Sequence, residues 1–288
     1  NYIEEPIDPI RLRNLYKFQS INKYTGLYGV TGFPLSEQNE NIDIQNLGFL
    51  SHNLNNVAIP IQSKLVSESI SFADQIGIKG LSISNPHKEA VLYYVDEQSV
   101  EVIQTGACNT IIKEKNIWKG YNTDCAGFMR AIKEFLGDYK IKRKKVAVIG
   151  AGSAARTAVY ILKQLGARVC IFNRTIEHAK SLADKYGYEY CSLEPDCASV
   201  LDEYSNVIFQ TTNVGMALEG PTNEINDPIP FYNFRGNEIL FDFVYRPSIT
   251  PVMKRASLAG CKTNNGYNMF VYQAYEQFKL FTNIDYEK

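Results

Sequence analysis

Residues 145–149 read Lys-Val-Ala-Val-Ile and run straight into Gly150-Ala151-Gly152-Ser153-Ala154-Ala155. A short unbroken apolar run of this kind predicts a strand buried on both faces, as in the middle of a parallel sheet. Val159 and Leu162 then follow at helical spacing. The order strand, glycine turn, helix gives each small residue a task. Gly150 permits the tight turn, Gly152 lets a diphosphate approach the backbone, and Ala155 allows the helix to pack closely on the strand. The helix start offers unsatisfied N–H groups and a partial positive charge to phosphate. A strand before the glycines and a helix after them make this a dinucleotide-binding turn rather than a chance match.

The rest of the chain extends the pattern. Apolar runs at 168–172, 206–210 and 238–241 alternate with helical stretches, which predicts a parallel, doubly wound sheet of the Rossmann type. Upstream, 27–31, 57–60 and 79–83 read as buried strands, with helices at 42–52 and 63–76. Pro86 suits the first turn of a helix through Ala90 and Leu92. Segments 107–112 and 117–121 read as a hairpin around a polar turn at 113–116, and Asp124 as the cap of a helix through Phe128, Ala131, Ile132 and Phe135. Residues 267–281 form a last, aromatic helix, and the polar first 25 residues a lead-in segment. A length of 288 residues favours two domains over one.

Several function classes fall away on composition. Thirty basic and 31 acidic residues leave a net charge of −1, so there is no general attraction to nucleic acid or to an anionic membrane. The basic run Lys142-Arg143-Lys144-Lys145 reads as a solvated approach to the next strand. No apolar stretch reaches the roughly 18 residues of a membrane span. The six cysteines are scattered without a CxxC pair, which suggests reduced thiols and a cytoplasmic location. His52, His87 and His178 are far apart in sequence, so no metal site is expected. No GxSxG elbow points to a hydrolase. The chain begins at Asn1 rather than Met, so it reads as processed or cut from something longer.

The end of the second Rossmann strand selects the dinucleotide. An NAD site usually carries Asp or Glu there for the ribose 2′-hydroxyl. Here the residues are Asn173-Arg174-Thr175, with His178 shortly after. No carboxylate repels a 2′-phosphate, and Arg174 can grip one, so the cofactor expected is NADP. Hydride transfer to or from an alcohol carbon also needs a group to handle the hydroxyl proton. Lys88, just past a strand, and Asp124, between a strand and a helix, are candidates for a proton-handling pair. Taken alone, Lys88 reads as a surface lysine and Asp124 as a helix cap; spacing does not choose.

Eight stretches in order resemble the shikimate dehydrogenase family. Gly29-Val30-Thr31-Gly32-Phe33-Pro34 is similar to its opening strand and turn, and Ser82-Ile83-Ser84-Asn85-Pro86-His87-Lys88 to its N-V-T-x-P-x-K element. Gly106-Ala107-Cys108-Asn109-Thr110 resembles G-A-V-N-T, and Gly120-Tyr121-Asn122-Thr123-Asp124 resembles G-x-N-T-D. Asn173-Arg174-Thr175 matches N-R-T, and Thr212-Asn213-Val214-Gly215-Met216 is similar to T-S-x-G-M. Asp242-Phe243-Val244-Tyr245-Arg246-Pro247 resembles D-x-V-Y-x-P, and residues 266–274 resemble G-x-x-M-x-x-x-Q-A. The resemblance implies an N-terminal α/β substrate domain with a mostly parallel sheet (26–123 plus 264–288), a Rossmann NADP domain (124–263) and a deep cleft. It implies that Lys88 and Asp124 are the catalytic pair and that Ser84, Asn109, Tyr245 and Gln273 surround the substrate. It places Phe243 and Gly266 near the nicotinamide half of the cofactor. The implied reaction is NADPH-dependent reduction of 3-dehydroshikimate to shikimate, a step toward chorismate and the aromatic amino acids, by a monomer or homodimer.

One loop departs from the family pattern. The family holds the substrate carboxylate with two serines in H-S-x-S-P. Read without a gap from Gly32, those serines become Gln38 and Glu40; with one inserted residue, the preferred reading, Asn46 and Phe49 align with the family's H-N-x-x-F and the serines become Asn39 and Asn41. Asparagine amides can donate to a carboxylate. However, the histidine becomes Gln38, the proline Ile42, and Glu40 enters the loop, where its charge opposes a substrate carboxylate. A relative acting on quinate or another cyclitol is therefore an alternative, and a non-catalytic ligand sensor a more distant one. Leu15-Tyr16-Lys17-Phe18 also resembles the joint that follows the dehydratase domain in bifunctional dehydroquinate dehydratase/shikimate dehydrogenases.

Overall fold

The computed structural model describes residues 8–35, 39–216 and 226–287. The chain forms two compact units, residues 1–126 with 271–288 and residues 127–270.

In the first unit the elements are α1 (Pro9–Asn14), β1 (Gly26–Gly32), α2 (Glu40–Ser51), β2 (Asn56–Gln62), α3 (Val66–Ile76), β3 (Gly80–Ile83), β4 (Glu97–Gln98), α4 (Val100–Thr105), β5 (Thr110–Glu114), β6 (Ile117–Tyr121) and the start of α5 (Thr123–Leu136). The sheet order is β2-β1-β3-β5-β6-β4. β1 pairs in parallel with β2 and β3, whereas β5 is antiparallel to β3 and β6. Strand periodicity sends alternate residues to opposite faces. On one face Tyr28, Ala58 and Ile112 meet Phe49 of α2 and Phe278 and Phe281 of the last helix. On the other, Leu81, Ile83 and Ile111 meet Val66, Ile70 and Ala73 of α3. Each fully buried phenylalanine contributes about 2–3 kcal/mol of burial free energy.

The second unit contains β7 (Lys145–Ile149), α6 (Ser153–Gln164), β8 (Arg168–Asn173), α7 (Ile176–Tyr186), β9 (Glu189–Ser192), α8 (Ala198–Glu203), β10 (Val207–Gln210), β11 (Ile239–Asp242), α9 (Pro251–Leu258), β12 (Lys262–Asn265) and the first turn of α10 (Tyr267–Thr282). Its sheet is parallel throughout, in the order β12-β11-β10-β7-β8-β9. This is the doubly wound arrangement, and the order reverses between β7 and β10.

Four local expectations need correction. Pro86 does not open an α-helix: residues 85–89 form turns, and only a 3-10 helix follows at Ala90–Tyr94. His87 explains this, because its N–H closes a turn onto Ser84 C=O and its buried ring bonds Ser63 C=O. Asp124 does not cap α5, since Asn122 Oδ1 accepts the Asp124 N–H at 3.1 Å. Asp124 sits in the first turn, where an acid is also favoured and its side chain stays available. The hairpin strand begins at Thr110, and its turn is Lys115-Asn116, both at positive φ (48° and 70°), as a tight hairpin requires. Finally, the lead-in segment contains α1, tied to α2 by a two-pronged Arg11–Asp43 ion pair.

Asn46, inside α2, clamps β2 from the side. Its amide donates to Ala58 C=O (2.9 Å) and accepts from Ala58 N–H (2.8 Å), in full burial. Asn46→Ala should lower unfolding free energy by about 2 kcal/mol, because both buried backbone groups lose their partner. Urea unfolding checks this; a loss under about 0.5 kcal/mol would contradict it.

Candidate active site

Lys88 leaves the turn after β3, and its backbone C=O accepts Cys108 N–H (2.8 Å), which ties that turn to the approach of β5. Its Nζ donates to Asp124 Oδ2 at 2.6 Å. The two side chains are 21% and 16% exposed, so the pair is sheltered yet reachable. Asn109 holds the other carboxylate oxygen, donating from Nδ2 to Asp124 Oδ1 at 2.9 Å. The orientation of Asn109 is itself fixed, because its Oδ1 accepts from Thr123 N–H (2.8 Å) and Thr110 Oγ1 (2.9 Å). Gln273 Oε1 lies 3.2 Å from the same Nδ2. A cation thus stands on a carboxylate whose aim is set by a buried amide. Such a pair can hand a proton to an oxygen or take one back.

Asn39 and Asn41 are placed differently from each other. Asn39 caps α2, its Oδ1 accepting from Asn41 N–H (3.0 Å) and Ile42 N–H (3.3 Å). Asn41 is buried, and its amide nitrogen donates to Ser82 Oγ (2.8 Å) and Gln277 Oε1 (2.9 Å). Both Asn41 N–H groups are therefore engaged within the unit. Glu40 is the half-buried first residue of α2, where the helix dipole favours an acid. Gln38 lies outside the described residues. Ser84 is half-buried, with its N–H on Thr31 C=O (2.7 Å).

Gln277 was not singled out in the sequence. It is fully buried and donates to Ser82 Oγ (3.1 Å), Asn109 C=O (3.1 Å) and Thr110 Oγ1 (2.9 Å). It links Asn41 to the support of Asn109. One signal for it was present: Gln273 and Gln277 are spaced i, i+4, on one face of a helix.

In the second unit the turn after β7 has the form its sequence demands. Gly150 has φ 111°, and a Cβ there would meet Thr211 Oγ1 at 2.8 Å and Thr212 Cγ2 at 2.9 Å. A Cβ on Gly152 would meet nothing within 4 Å, so the space before α6 is open. Gly152 is the N-cap of α6 and supplies no side-chain cap, which leaves first-turn N–H groups for an outside acceptor. Ala151, Ser153 and Ala154 are half-buried in this turn and Ala155 is fully buried. At the end of β8, Asn173 Nδ2 donates to Thr175 C=O (2.8 Å), while Arg174, Thr175 and His178 are exposed. An open glycine, an uncapped helix start and an exposed arginine fit a dinucleotide with a phosphorylated ribose.

Sequence comparison agrees with this geometry. Residues 30–111 match the shikimate dehydrogenase substrate-binding domain, and residues 131–220 match the shikimate/quinate 5-dehydrogenase family. The chain belongs to the shikimate dehydrogenase family. It is 37% identical over 289 residues to the chloroplastic bifunctional 3-dehydroquinate dehydratase/shikimate dehydrogenase of Arabidopsis thaliana, covering 95% of this chain and 46% of that one. The chain thus spans about half the length of that relative. It is 33% identical to the shikimate dehydrogenase (NADP(+)) of Thermococcus kodakarensis, over 90% of this chain and 92% of the other. Its fold matches the shikimate dehydrogenase structure from Aquifex aeolicus with a TM-score of 0.80 at 30% identity, covering 92% and 95% of the two chains.

Further residues of the family pattern cluster beyond β11. Tyr245 stacks on Phe270, ring centres 5.0 Å apart at 22°. A Cβ on Gly266 would stand 2.3 Å from Phe243 C=O, so that close approach needs glycine. Asp242, at the end of β11, is fully buried, and burial pushes its carboxyl up to about 7 against hydrogen bonds from Thr250 and Val244 N–H. Among the described residues no group of His, Cys, Asp and Glu could hold a metal ion, and no helix is long and apolar enough to cross a membrane.

Two outcomes follow. Gly152→Ala should weaken dinucleotide binding measured by calorimetry at least about tenfold while shifting the melting temperature by less than about 3 °C, since an added Cβ meets no protein atom within 4 Å. Unchanged affinity would show that the open space is not the cofactor's. For Asp242 the sign runs with its raised native value: between about pH 4 and pH 7 the native carboxyl keeps a proton the unfolded chain has lost. Its contribution is therefore full at acid pH and is lost as pH rises through about 7. Relative to the parent, Asp242→Asn should be more stable at pH 8 than at pH 5 in urea unfolding; an equal difference at both would contradict the assignment.

Proposed function

We propose that this chain is an NADP-dependent oxidoreductase that interconverts 3-dehydroshikimate and shikimate. The observation that carries the reading is the 2.6 Å contact of Lys88 Nζ with Asp124 Oδ2, with Asn109 on the second oxygen. The hydride for the ring carbonyl carbon would come from the nicotinamide of NADPH when it is bound. Lys88 hydrogen-bonds the carbonyl oxygen and releases a proton to it as charge builds there, so C=O gains one hydride and one proton and becomes CH–OH. In the reverse direction Lys88 takes the hydroxyl proton as the hydride leaves. Asp124 keeps Nζ aimed. A donor fixed where negative charge develops stabilises the transition state more than the ground state. On the family pattern, Ser84, Asn109 and Gln273 of the first unit and Tyr245 of the second are assigned to the ring, and Phe243 and Gly266 to the nicotinamide half of the cofactor. Gly150, Ala151, Gly152, Ser153 and Ala154 receive the diphosphate, and Asn173, Arg174, Thr175 and His178 the phosphorylated ribose.

A second reading keeps the reaction and changes the ring. With Asn41 turned into the Ser82–Gln277 network, the segment that grips the substrate carboxylate in the family has a different donor set here. That favours a related ring, either quinate-like or a cyclitol lacking the carboxylate. A sensor without catalysis fits less well, because the Lys88–Asp124 pair is assembled.

A substrate screen decides between the rings. Purified protein with NADP should reduce the cofactor with shikimate at a higher kcat/KM than with quinate or a carboxylate-free cyclitol. The opposite order would favour the second reading. In the same assay, Arg174→Ala should raise KM for NADP about tenfold or more and leave NAD kinetics unchanged. An equal loss with both cofactors would remove Arg174 from the 2′-phosphate site.

A further inference from the structure

Gln210 and Asp242 end the neighbouring strands β10 and β11 and lie opposite each other in register. Neither reaches solvent. Gln210 folds the chain back over its own strand. Its Oε1 accepts from Thr212 N–H (2.7 Å) and Thr212 Oγ1 (2.8 Å), and its Nε2 donates to Thr212 C=O and Val214 C=O, both at 3.1 Å. Asp242 secures the next loop at both ends. Its Oδ1 accepts from Val244 N–H at 2.9 Å, and its Oδ2 accepts from Thr250 Oγ1 at 2.6 Å. Thr250 is also the N-cap of α9, accepting from Met253 N–H. Two further bonds join the loops: Gln210 Nε2 to Asp242 Oδ1 (3.4 Å) and Phe243 N–H to Gln210 C=O (2.8 Å).

A carboxylate is a costly tether here. The hydrogen-bond partners of Asp242 are a hydroxyl, a backbone N–H and an amide, none of them a cation. Burying an uncompensated carboxylate costs stability, and an amide could tie the same loop more cheaply. The place explains it better. In a doubly wound sheet, ligands sit outside the carboxyl ends of the strands where the order reverses, which here lies between β7 and β10. On the cofactor reading above, the loops after β7 and β8 take the diphosphate and ribose. The loops after β10 and β11 stand at the same carboxyl end of the sheet, and the second carries Phe243 and Tyr245.

We propose that Gln210 and Asp242 are positioning residues for the nicotinamide half of bound NADP, acting through the loops at 211–215 and 243–250. This rests on the NADP reading above. Neither residue touches the cofactor; each sets the backbone that does.

Calorimetry with two ligands tests it. NADP spans both halves of the site, whereas adenosine 2′,5′-bisphosphate occupies only the adenosine half. Gln210→Leu and Thr250→Val should each weaken NADP about tenfold and leave adenosine 2′,5′-bisphosphate within about twofold of the parent. Thr250→Val is close in shape to the parent residue, so it keeps the test open should Gln210→Leu fail to fold. Thr250→Ser, which restores the hydroxyl to Asp242, should recover NADP affinity. Equal weakening of both ligands, or no change in NADP affinity, would overturn the proposal. A parent protein that binds neither ligand would overturn the cofactor reading itself, and this inference with it.

Discussion

A lysine standing on an aspartate in a site where each is only about a fifth exposed needs its partners held in advance, since two charges partly removed from water gain little unless geometry is fixed. The first unit supplies that fixing from three directions. The turn after β3 delivers Lys88, the approach to β5 delivers Asn109, and the first turn of α5 delivers Asp124. Asn122 takes the capping duty that Asp124 would otherwise perform, which leaves both carboxylate oxygens for Lys88 and Asn109. Gln277, from α10, then braces the backbone and neighbour of Asn109. The Lys88–Asp124 pair is thus the outer end of a buried amide network.

The cofactor side rests on a different economy. There the chain withholds side chains instead of supplying them. Gly152 leaves open space, α6 leaves its first N–H groups without a side-chain cap, and Gly266 permits contact with Phe243 that any Cβ would block. Arg174 is exposed at the end of β8. Two of the buried polar residues, Gln210 and Asp242, bond the loops that follow their strands.

Much of this was legible in the chain, and the exceptions have physical causes. Central strands such as β7 and β10 are buried on both faces, so their sequences are unbroken apolar runs and their bounds were read within a residue. β9 and β12 are sheet edges with polar sequences, Glu-Tyr-Cys-Ser and Lys-Thr-Asn-Asn, and gave no such signal. Asp124 was misread as a cap because Asn122 and Asp124 both suit a helix start, and only the backbone shows which one is used. Lys88 and Asp124 lie 36 residues apart; spacing could not pair them, and family resemblance named them before geometry did. Asn41 shows what a single-position reading lacks: its amide contacts Ser82 and Gln277, which lie 41 and 236 residues away in the chain.

The central claim is that Lys88 moves the proton while the glycine loop holds the cofactor. The most direct measurement compares Lys88→Ala with the parent for turnover of shikimate and NADP, alongside the NADP dissociation constant. The account predicts a fall in kcat of about a thousandfold with NADP affinity unchanged within about twofold. A kcat within about tenfold of the parent, or a parallel loss of NADP binding, would contradict it.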